Sequence, residues 1–423
     1  MKLVGKHDAQ RYMDESSDLD ILCLSHLRWN FVYQRPQHLL SRASERRRVF
    51  FFEEPIYQDR EAFLEMRREQ PNLVVAVPHL PHGLNEAQQL ELQAILLDEL
   101  ISTYHINRYL SWYYTPMALK FTKHLEPEIV VYDCMDQLSH FKGASPELPR
   151  LEHSLFTKAD LVFTGGHSLY EAKRDLHPSV YAFPSSVDVK HFAKGRERHA
   201  LPVDMLSIKG PKIGYMGVID ERIDLDLIEG IARRRPDWNI IMLGPVVKID
   251  PASLPQLPNI HYLGGKGYNE LPHYLGSWDI GILPFARNDA TQFISPTKTP
   301  EYLAAGIQVI STSIKDVIKP YGNLGLVGIA DDVETFIMHA DRMIEDGATA
   351  RWKSKVDAFL AKVSWDKTFE AMHKLIKAEQ ERNSGGSTPS LTTSALSYSK
   401  DLRSMPKSAV NVSAHDGIAA MPS

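Results

Sequence analysis

Short apolar runs alternate with helical segments along this chain, and the alternation starts again in its second half. Strands that alternate with helices in this way are typical of a parallel α/β sheet. The strands predicted in the first half are Asp20–Leu24, Arg48–Phe52, Leu73–Val77, Leu110–Tyr114, Ile129–Tyr132, Leu161–Thr164 and Val180–Phe183. Those predicted in the second half are Lys212–Tyr215, Asn239–Leu243, Ile260–Leu263, Ile280–Leu283, Gln308–Ser311 and Leu326–Ile329.

Two Rossmann-like domains in sequence are the architecture that this pattern favours. A chain of 423 residues is too long for one hydrophobic core. The polar stretch Ala193–Gly210, which contains Gly195 and Pro202, predicts a linker between the two sets of strands. We expect an α/β fold whose two domains face a cleft, with a ligand at the carboxyl ends of the strands.

Composition excludes several classes of protein. A net charge of −5 gives no overall attraction to nucleic acid, so an anion site must be local. Cys23 and Cys134 are the only cysteines, which excludes a disulfide framework or a cysteine zinc site and fits a reducing compartment. Residues 1–20 are polar and resemble no secretory signal, and no run of about 18 apolar residues occurs. We expect a soluble cytoplasmic protein.

The C-terminal region divides into a helix and a tail. Apolar residues at helical spacing, Trp365, Phe369, Met372 and Ile376, predict a helix over Trp365–Gln380 that packs one face on the protein. From residue 383 to 423 the sequence is rich in Ser, Thr, Gly and Ala and buries too little apolar area to offset its ordering entropy. This segment is predicted to be a disordered tail.

Lys298 lies at a predicted helix start, where the helix dipole disfavours a cation. Either Ser295 or Thr299 can be the N-cap, since each is followed by proline. In both registers a polyanion would be held by the ammonium group together with free helix amides. The alternative is a surface lysine paired with Glu301, three residues on.

The loop after the first strand contains Arg28, Trp29 and Arg35 but no GxGxxG fingerprint, which is also missing from the second half. A loop at this position faces the cleft, where an aromatic ring can stack on a sugar or an apolar acceptor. These three residues are therefore candidates for acceptor binding. The alternatives are a loop anchor packed on the core for Trp29 and solvated side chains for the two arginines.

Gly217 and Arg222 follow the first strand of the second half. Gly217 permits positive φ or close approach to a ligand, and Arg222 has the fork geometry that clamps a phosphate. Four acidic residues crowd the arginine, so an ion pair within the loop is the alternative. They are Asp220, Glu221, Asp224 and Asp226.

The order of motifs in the second half resembles the donor domain of GT-B glycosyltransferases, most closely the retaining family 4 type. The resemblance spans about residues 19–380, and in the first half Asp160–Lys173 and the hinge-like Phe183–Phe192 share it. The motifs are Ile213–Gly217, Asn239–Gly244, Ile260–Gly264 with Tyr268, Trp278–Pro284 and Lys298–Gly306. The resemblance implies an acceptor domain over residues 19–188, completed by a helix at 365–382, and a nucleotide-sugar donor domain over 189–364.

The resemblance also implies roles for single residues. Lys298 matches the residue that holds the donor diphosphate, the amides from Ser295 to Thr297 match the helix start beside it, and Glu301 matches the carboxylate that accepts the ribose hydroxyls. Asp133 lies where many relatives carry a histidine facing the reacting sugar, and Asp136 follows one turn on. The resemblance implies that either could bind the sugar, orient the acceptor or take its proton, and the alternative is a pair of helix-capping aspartates. The nucleobase is implied to lie near Gly244, Gly264 and Tyr268.

One position departs from the family pattern. A glutamate that contacts the donor sugar usually lies eight residues before the ribose-binding carboxylate, and this chain has Phe293 there. Candidates to replace it in the same loop are Asn288, Asp289 and Thr291. The donor sugar is therefore not predicted.

Together these features predict a glycosyltransferase of polysaccharide or glycolipid synthesis that moves a sugar from a nucleoside diphosphate sugar to a hydroxyl acceptor. The predicted reaction needs no metal or other cofactor and retains configuration, whereas inversion would need Asp133 or Asp136 as general base. The alternatives are a non-hydrolysing nucleotide-sugar epimerase and an inactive nucleotide-sugar-binding scaffold. The acceptor is a carbohydrate or is lipid-linked, nucleic acid is not a partner, and basic groups at 46–48 and 67–68 leave peripheral contact with the inner membrane face open.

Overall fold

The computed structural model describes residues 18–197 and 200–385. They form two parallel sheets, each with helices on its faces. The predicted tail therefore lies outside the described residues, apart from residues 383–385.

The first sheet has nine strands in the order β3-β5-β2-β1-β6-β7-β8-β9, with β4 antiparallel to β5. Its strands are β1 (Asp20–Leu24), β2 (Val49–Phe52), β3 (Ile56–Gln58), β4 (Phe63–Gln70), β5 (Leu73–Pro81), β6 (Tyr109–Tyr113), β7 (Ile129–Cys134), β8 (Leu161–Thr164) and β9 (Val180–Ala182). The helices in this part of the chain are α1 (Arg35–Ala43), α2 (Glu86–Thr103), α3 (Leu148–Lys158), α4 (His167–Lys173) and α5 (Val189–Phe192).

The second sheet has six parallel strands in the order β12-β11-β10-β13-β14-β15. They are β10 (Lys212–Met216), β11 (Asn239–Leu243), β12 (Ile260–Gly264), β13 (Ile280–Leu283), β14 (Gln308–Ser311) and β15 (Val327–Ile329). The helices are α6 (Leu225–Arg234), α7 (Leu271–Leu275), α8 (Lys298–Ala304), α9 (Lys315–Val317), α10 (Val333–Asp346), α11 (Ala350–Leu360) and α12 (Trp365–Asn383).

Each sheet has its own core. Helices α1 and α12 cover one face of the first sheet, and α2 and α3 cover the other. Helix α12 contributes Trp365, Phe369 and Met372 to this packing. The second sheet packs in a separate core with α6, α8 and α10. We call the first sheet with its covering helices the N-lobe, and the second the C-lobe.

The chain crosses between the lobes earlier than the predicted linker. Phe183 belongs to the N-lobe core, whereas Val187 and Phe192 belong to the C-lobe core. In the predicted linker, Met205 and Ile208 are buried in the C-lobe core, because their side chains are apolar in an otherwise polar stretch. The sequence prediction of a free linker is therefore wrong for these residues.

The sequence also missed strand β4. Its residues read FLEMRREQ, a charged run that lacks the apolar character of the inner strands. Because β4 pairs with β5 alone, its charged side chains are tolerated at a sheet edge. Arg67, considered above as part of a basic group, pairs with Glu53 of the N-lobe.

Candidate active site

Lys298 and Gly217 meet at the carboxyl end of β10. Gly217 has φ of +146°, and a Cβ atom there would lie 2.0 Å from Cε of Lys298. Gly244, at the end of β11, has φ of +150°, and its Cβ would lie 1.9 Å from the Gly217 carbonyl oxygen. Both positions therefore require glycine, which gives the lysine side chain its path into the cleft. The Lys298 ammonium lies 5.6 Å from the ring centre of Tyr215.

Helix α8 begins at Lys298, between the two starts that the sequence allowed. Thr297 is the flanking residue, and Pro300 is accommodated in the first turn, where a missing N–H costs no helical hydrogen bond. Within the described part of the chain, the backbone N–H groups of Ser295, Thr297 and Lys298 donate no hydrogen bond. These amides and the ammonium group form a set of donors that lacks an acceptor.

Glu301 shares this helix and is 7% exposed. Burial raises the pKa of its carboxyl, and the charge of Lys298 opposes that change. Burial also lowers the pKa of Lys298, and the charge of Arg222 lowers it further. No ion pair within 4 Å joins the Lys298 and Glu301 side chains among the described residues, so the surface-pair alternative is not formed. Among the described residues, the buried Glu301 carboxylate and the half-buried Lys298 ammonium have no hydrogen-bond or ion-pair partner, which is costly unless a ligand satisfies them.

Arg222 is committed to Asp220. Its Nε and Nη2 atoms donate to both carboxylate oxygens of Asp220 at 2.7–3.1 Å. The guanidinium also lies 5.6 Å from the ring centre of Phe141 in the N-lobe. The loop ion pair that the sequence left open is therefore formed. A phosphate clamp would have to use Nη1, so Arg222 is a secondary candidate.

Asp133 and Arg35 form a buried ion pair in place of their two predicted roles. Arg35 donates to both oxygens of Asp133 at 2.8–3.0 Å and to the Phe183 carbonyl at 2.7 Å. The Asp133 side chain is 0% exposed and that of Arg35 is 3% exposed. Neither group can reach a substrate in this conformation, so the geometry supports neither a catalytic role for Asp133 nor acceptor binding by Arg35.

Asp136 lies at the cleft, three residues further on. Burial raises the pKa of its carboxyl to about 6, although the charges of Arg222, Arg35 and Lys298 lower it. These interactions place Asp136 close to the cations of the C-lobe. Of the two candidate aspartates, it is the one that the structure brings to Lys298.

Arg28 and Trp29 anchor their loop. Arg28 pairs with Glu53 at 3.1 Å and donates to the carbonyls of Glu54 and Pro55. Trp29 is 8% exposed, packs edge-on against Phe51 at 5.1 Å, and donates its backbone N–H to Glu53. The structure thus supports the loop-anchor alternative for Trp29, whereas Arg28 is neither solvated nor free for an acceptor, because it is paired within the N-lobe.

Tyr268 stacks between the lobes. Its ring lies 4.1 Å from His191 and 4.4 Å from Tyr33, which belongs to the N-lobe loop after β1. Its hydroxyl is buried and has no hydrogen-bond partner among the residues that the structure describes. Burial raises the pKa of Tyr268, and the charge of Glu301 raises it further, so the hydroxyl lies near the predicted ribose site. Gly264, with φ of +69°, has open space around it.

Phe293 packs on the N-lobe. It contacts the core beneath α2 and α3, and its ring centre lies 5.7 Å from that of His140. Asn288 and Thr291 cap each other in a short turn, and the Asp289 carbonyl accepts a hydrogen bond from His140. The loop predicted to contact the donor sugar is thus held by both lobes, an arrangement that no local sequence pattern predicts.

The described residues contain no helix long and apolar enough to span a membrane. Within the same residues, no three His, Cys, Asp or Glu side chains converge as metal ligands.

Solved structures share this two-sheet architecture. Sucrose-phosphate synthase from Thermosynechococcus elongatus superposes with a TM-score of 0.63 at 13% identity, covering 85% of this chain and 98% of its own. Anabaena Alr3699/HepE in complex with UDP and glucose gives 0.63 at 14% identity, covering 85% of this chain and all of its own. This chain has the GT-B fold. The predicted fold class is confirmed.

A curated relative agrees with the GT-B assignment. It is a putative teichuronic acid biosynthesis glycosyltransferase, TuaH, of Bacillus subtilis, and it is 26% identical over 241 residues. The match covers 53% of this chain and 60% of the relative. No protein-family profile matches the chain. The resemblance to GT-B glycosyltransferases predicted from the sequence is confirmed by these likenesses.

Proposed function

We propose that this protein transfers a glycosyl group from a nucleoside diphosphate sugar to a hydroxyl group of a carbohydrate or lipid-linked acceptor. One observation carries the proposal: Lys298 and the free amides around it form an unpaired donor set in the cleft. A diphosphate supplies the acceptors that these groups lack. Solved GT-B neighbours were determined with UDP, UDP-glucose or UDP-2-fluoro glucose, which supports a nucleotide sugar as the ligand.

The nucleoside would extend from the diphosphate along α8. Glu301, one turn after Lys298, would accept hydrogen bonds from the ribose hydroxyls as an ionised carboxylate. Binding the diphosphate beside Lys298 would also favour the charged ammonium, whose pKa burial otherwise lowers. The buried Tyr268 hydroxyl, which has no partner, lies on the same side as Glu301.

Catalysis in this arrangement would come mainly from stabilising the departing diphosphate. Lys298 and the helix amides are fixed before the substrate arrives, so they need little reorganisation as negative charge develops. Asp136 lies across the cleft and can accept or donate a proton as its ionisation changes near pH 6. Metal independence and retention of configuration are parts of the proposal, as is a role in polysaccharide synthesis, which the name of the relative suggests.

We propose that the protein is cytoplasmic, with at most peripheral contact at the inner face of the membrane. No observation favours the epimerase or scaffold alternatives over transfer.

A panel of UDP-, GDP- and dTDP-hexoses tests the proposal. Thermal shift identifies the donor, because a ligand at 100 times its dissociation constant stabilises by about 2.7 kcal/mol. Nucleotide release is then measured with and without carbohydrate acceptors. If the protein is a transferase, adding an acceptor should accelerate the release of nucleotide. Interconversion of the donor sugar without nucleotide release would indicate an epimerase. Binding of the nucleotide sugar without either reaction would indicate a scaffold.

A further inference from the structure

The N-lobe contains a cavity of about 330 Å³ at the carboxyl edge of its sheet. Its wall includes Ser25 directly after β1, Phe52 at the end of β2 and Thr115 shortly after β6, and α2 closes one side. This volume lies at the lower end of the range for small-molecule sites. Because ligands of parallel α/β sheets bind outside the carboxyl ends of the strands, the cavity lies where a second substrate can enter.

The rim of this cavity faces the C-lobe. Lys248, an exposed residue of the C-lobe with φ of +62°, affects the ionisation of Glu54 in the wall and of His26, which follows the wall residue Ser25. Burial and the charge of Lys248 lower the pKa of His26 to about 4. Burial raises the pKa of Glu54, and the charges of Arg28 and Lys248 lower it. The cavity therefore adjoins the cleft between the lobes.

The cations at the cavity wall are already paired. Lys120 is bound by Glu86 and Glu147 together. Beyond the wall, Arg28 and Arg67 both pair with Glu53. The Lys120 ammonium in the wall is therefore already neutralised and cannot compensate the charge of an anionic ligand in the cavity. Lys248 carries a positive charge at the rim but is not part of the wall.

Glu54, a solvent-exposed residue of the cavity wall, differs from these groups. Its carboxylate makes no hydrogen bond or ion pair within residues 18–197 and 200–385, although its carbonyl accepts from Arg28. A carboxylate is an acceptor-only group, well suited to sugar hydroxyls. The wall also offers the apolar rings of Phe52 and Phe121 and the amide of Gln93.

We infer that this cavity binds the terminal sugar of the acceptor, that this sugar is electrically neutral, and that the Glu54 carboxylate holds its hydroxyls. This inference rests on the proposed function and names the acceptor class. A uronic acid in the same place would bring its carboxylate beside Glu54 with no free cation in the wall to compensate. Glu54 thus acts as a specificity-determining residue that favours neutral sugars over uronates.

Matched acceptors test this directly. With the donor identified by thermal shift, nucleotide release is measured on p-nitrophenyl glucoside and glucuronide, and on the corresponding galactoside and galacturonide. The members of each pair differ only in a hydroxymethyl or a carboxylate group. The wild-type protein should prefer the neutral member by about tenfold or more in kcat/KM, the effect of one charged contact.

Glu54→Gln keeps the shape and removes the charge. It should lose about tenfold in kcat/KM on the neutral acceptors, mainly through KM, and its preference over uronates should shrink. Glu61→Gln changes another exposed glutamate of the same lobe, one that does not line the cavity, and should leave both quantities as in the wild type. The thermal stability of each variant is measured to confirm that it folds.

A wild-type preference for uronates, or an unchanged preference in Glu54→Gln, would overturn the inference. Donor-dependent nucleotide release with the wrong acceptor preference would contradict this inference alone. Failure to bind or cleave any nucleotide sugar would overturn the proposed function, and the inference with it.

Discussion

The side chain of Asp316 in the C-lobe accepts the backbone N–H of His167 in the N-lobe at 2.8 Å, and its second oxygen accepts the N–H of Ser168 at 2.9 Å. The carboxylate of one lobe thus caps helix α4 of the other. Gly166 makes the approach possible, because a Cβ there would lie 2.2 Å from Asp316 Oδ2. We call this contact the Asp316 clasp.

Removing the clasp should loosen the two lobes. In Asp316→Ala, two partly buried N–H groups lose their acceptor, at a cost of about 1–3 kcal/mol each where water cannot replace it. The lobes should then separate more readily, and small-angle X-ray scattering should show a larger radius of gyration than in the wild type. Asp59→Ala, an exposed N-lobe residue, is the control. An unchanged scattering profile in Asp316→Ala would show that the clasp does not hold the lobes.

The free energy of unfolding of the protein should depend on pH through the burial of Asp316. Burial raises the pKa of Asp316 from 3.8 to about 6, although the amides of Ser168 and His167 lower it. The folded protein therefore binds this proton more tightly than the unfolded chain, and the stabilisation is lost as pH rises from about 4 through 6. The loss is up to about 3 kcal/mol, since a difference of one in pKa corresponds to about 1.4 kcal/mol.

Asp316→Asn isolates that effect, because asparagine does not ionise. Between pH 4 and 7 the free energy of unfolding should fall less in Asp316→Asn than in the wild type, as measured by denaturant titration. Parallel curves for the two proteins would contradict the assigned pKa.

Asp136 should distinguish retention from inversion. Burial raises the pKa of its carboxyl to about 6. Retention needs no base from the protein, so Asp136→Asn should keep most of the rate if configuration is retained. In an inverting reaction the ionised form would receive the proton of the acceptor, nucleotide release would fall as pH drops below 6, and Asp136→Asn would remove this dependence and lower the rate by about 10²–10⁴. Asp59→Asn is the matched control, and a full rate in Asp136→Asn would exclude the role.

Trp365 should contribute strongly to the stability of the N-lobe. Its side chain is 1% exposed and stacks on His38 at 4.6 Å. Trp365→Ala leaves a large cavity where α12 meets the first sheet and should cost about 3–5 kcal/mol in chemical denaturation. Phe31→Ala, at a ring 52% exposed, should cost far less. Equal losses in the two variants would mean that α12 is not a structural part of the N-lobe.

The sequence predicted the strands well because inner strands of parallel sheets are short, apolar and separated by helices. Strand β4 was not predicted because it is charged, and a strand at the edge of a sheet needs no apolar side chains. Lys298 and Glu301 could be found because they lie on one helix, so their spacing along the chain gives their spacing in space. The contact between Asp316 and His167 could not be predicted, because it depends on how two separately folded lobes meet. Neither residue is unusual in its local sequence.

The same reasoning explains Arg35 and Asp133. Each lies at a place where a ligand contact is plausible, and only the fold shows that the two satisfy each other across 98 residues of chain. The role of Arg222 also depended on the three-dimensional structure, because the sequence allowed both a phosphate clamp and the ion pair with Asp220.

The central claim is that Lys298 and Glu301 bind a nucleotide sugar, and calorimetric titration of the donor tests it most directly. The wild type should bind, Lys298→Ala should lose about tenfold or more in affinity, and Glu301→Gln should weaken binding of the nucleotide sugar but not of inorganic pyrophosphate. Lys355→Ala, an exposed lysine on α11, should bind as the wild type does. Donor affinity that is the same in Lys298→Ala and Lys355→Ala would contradict the account.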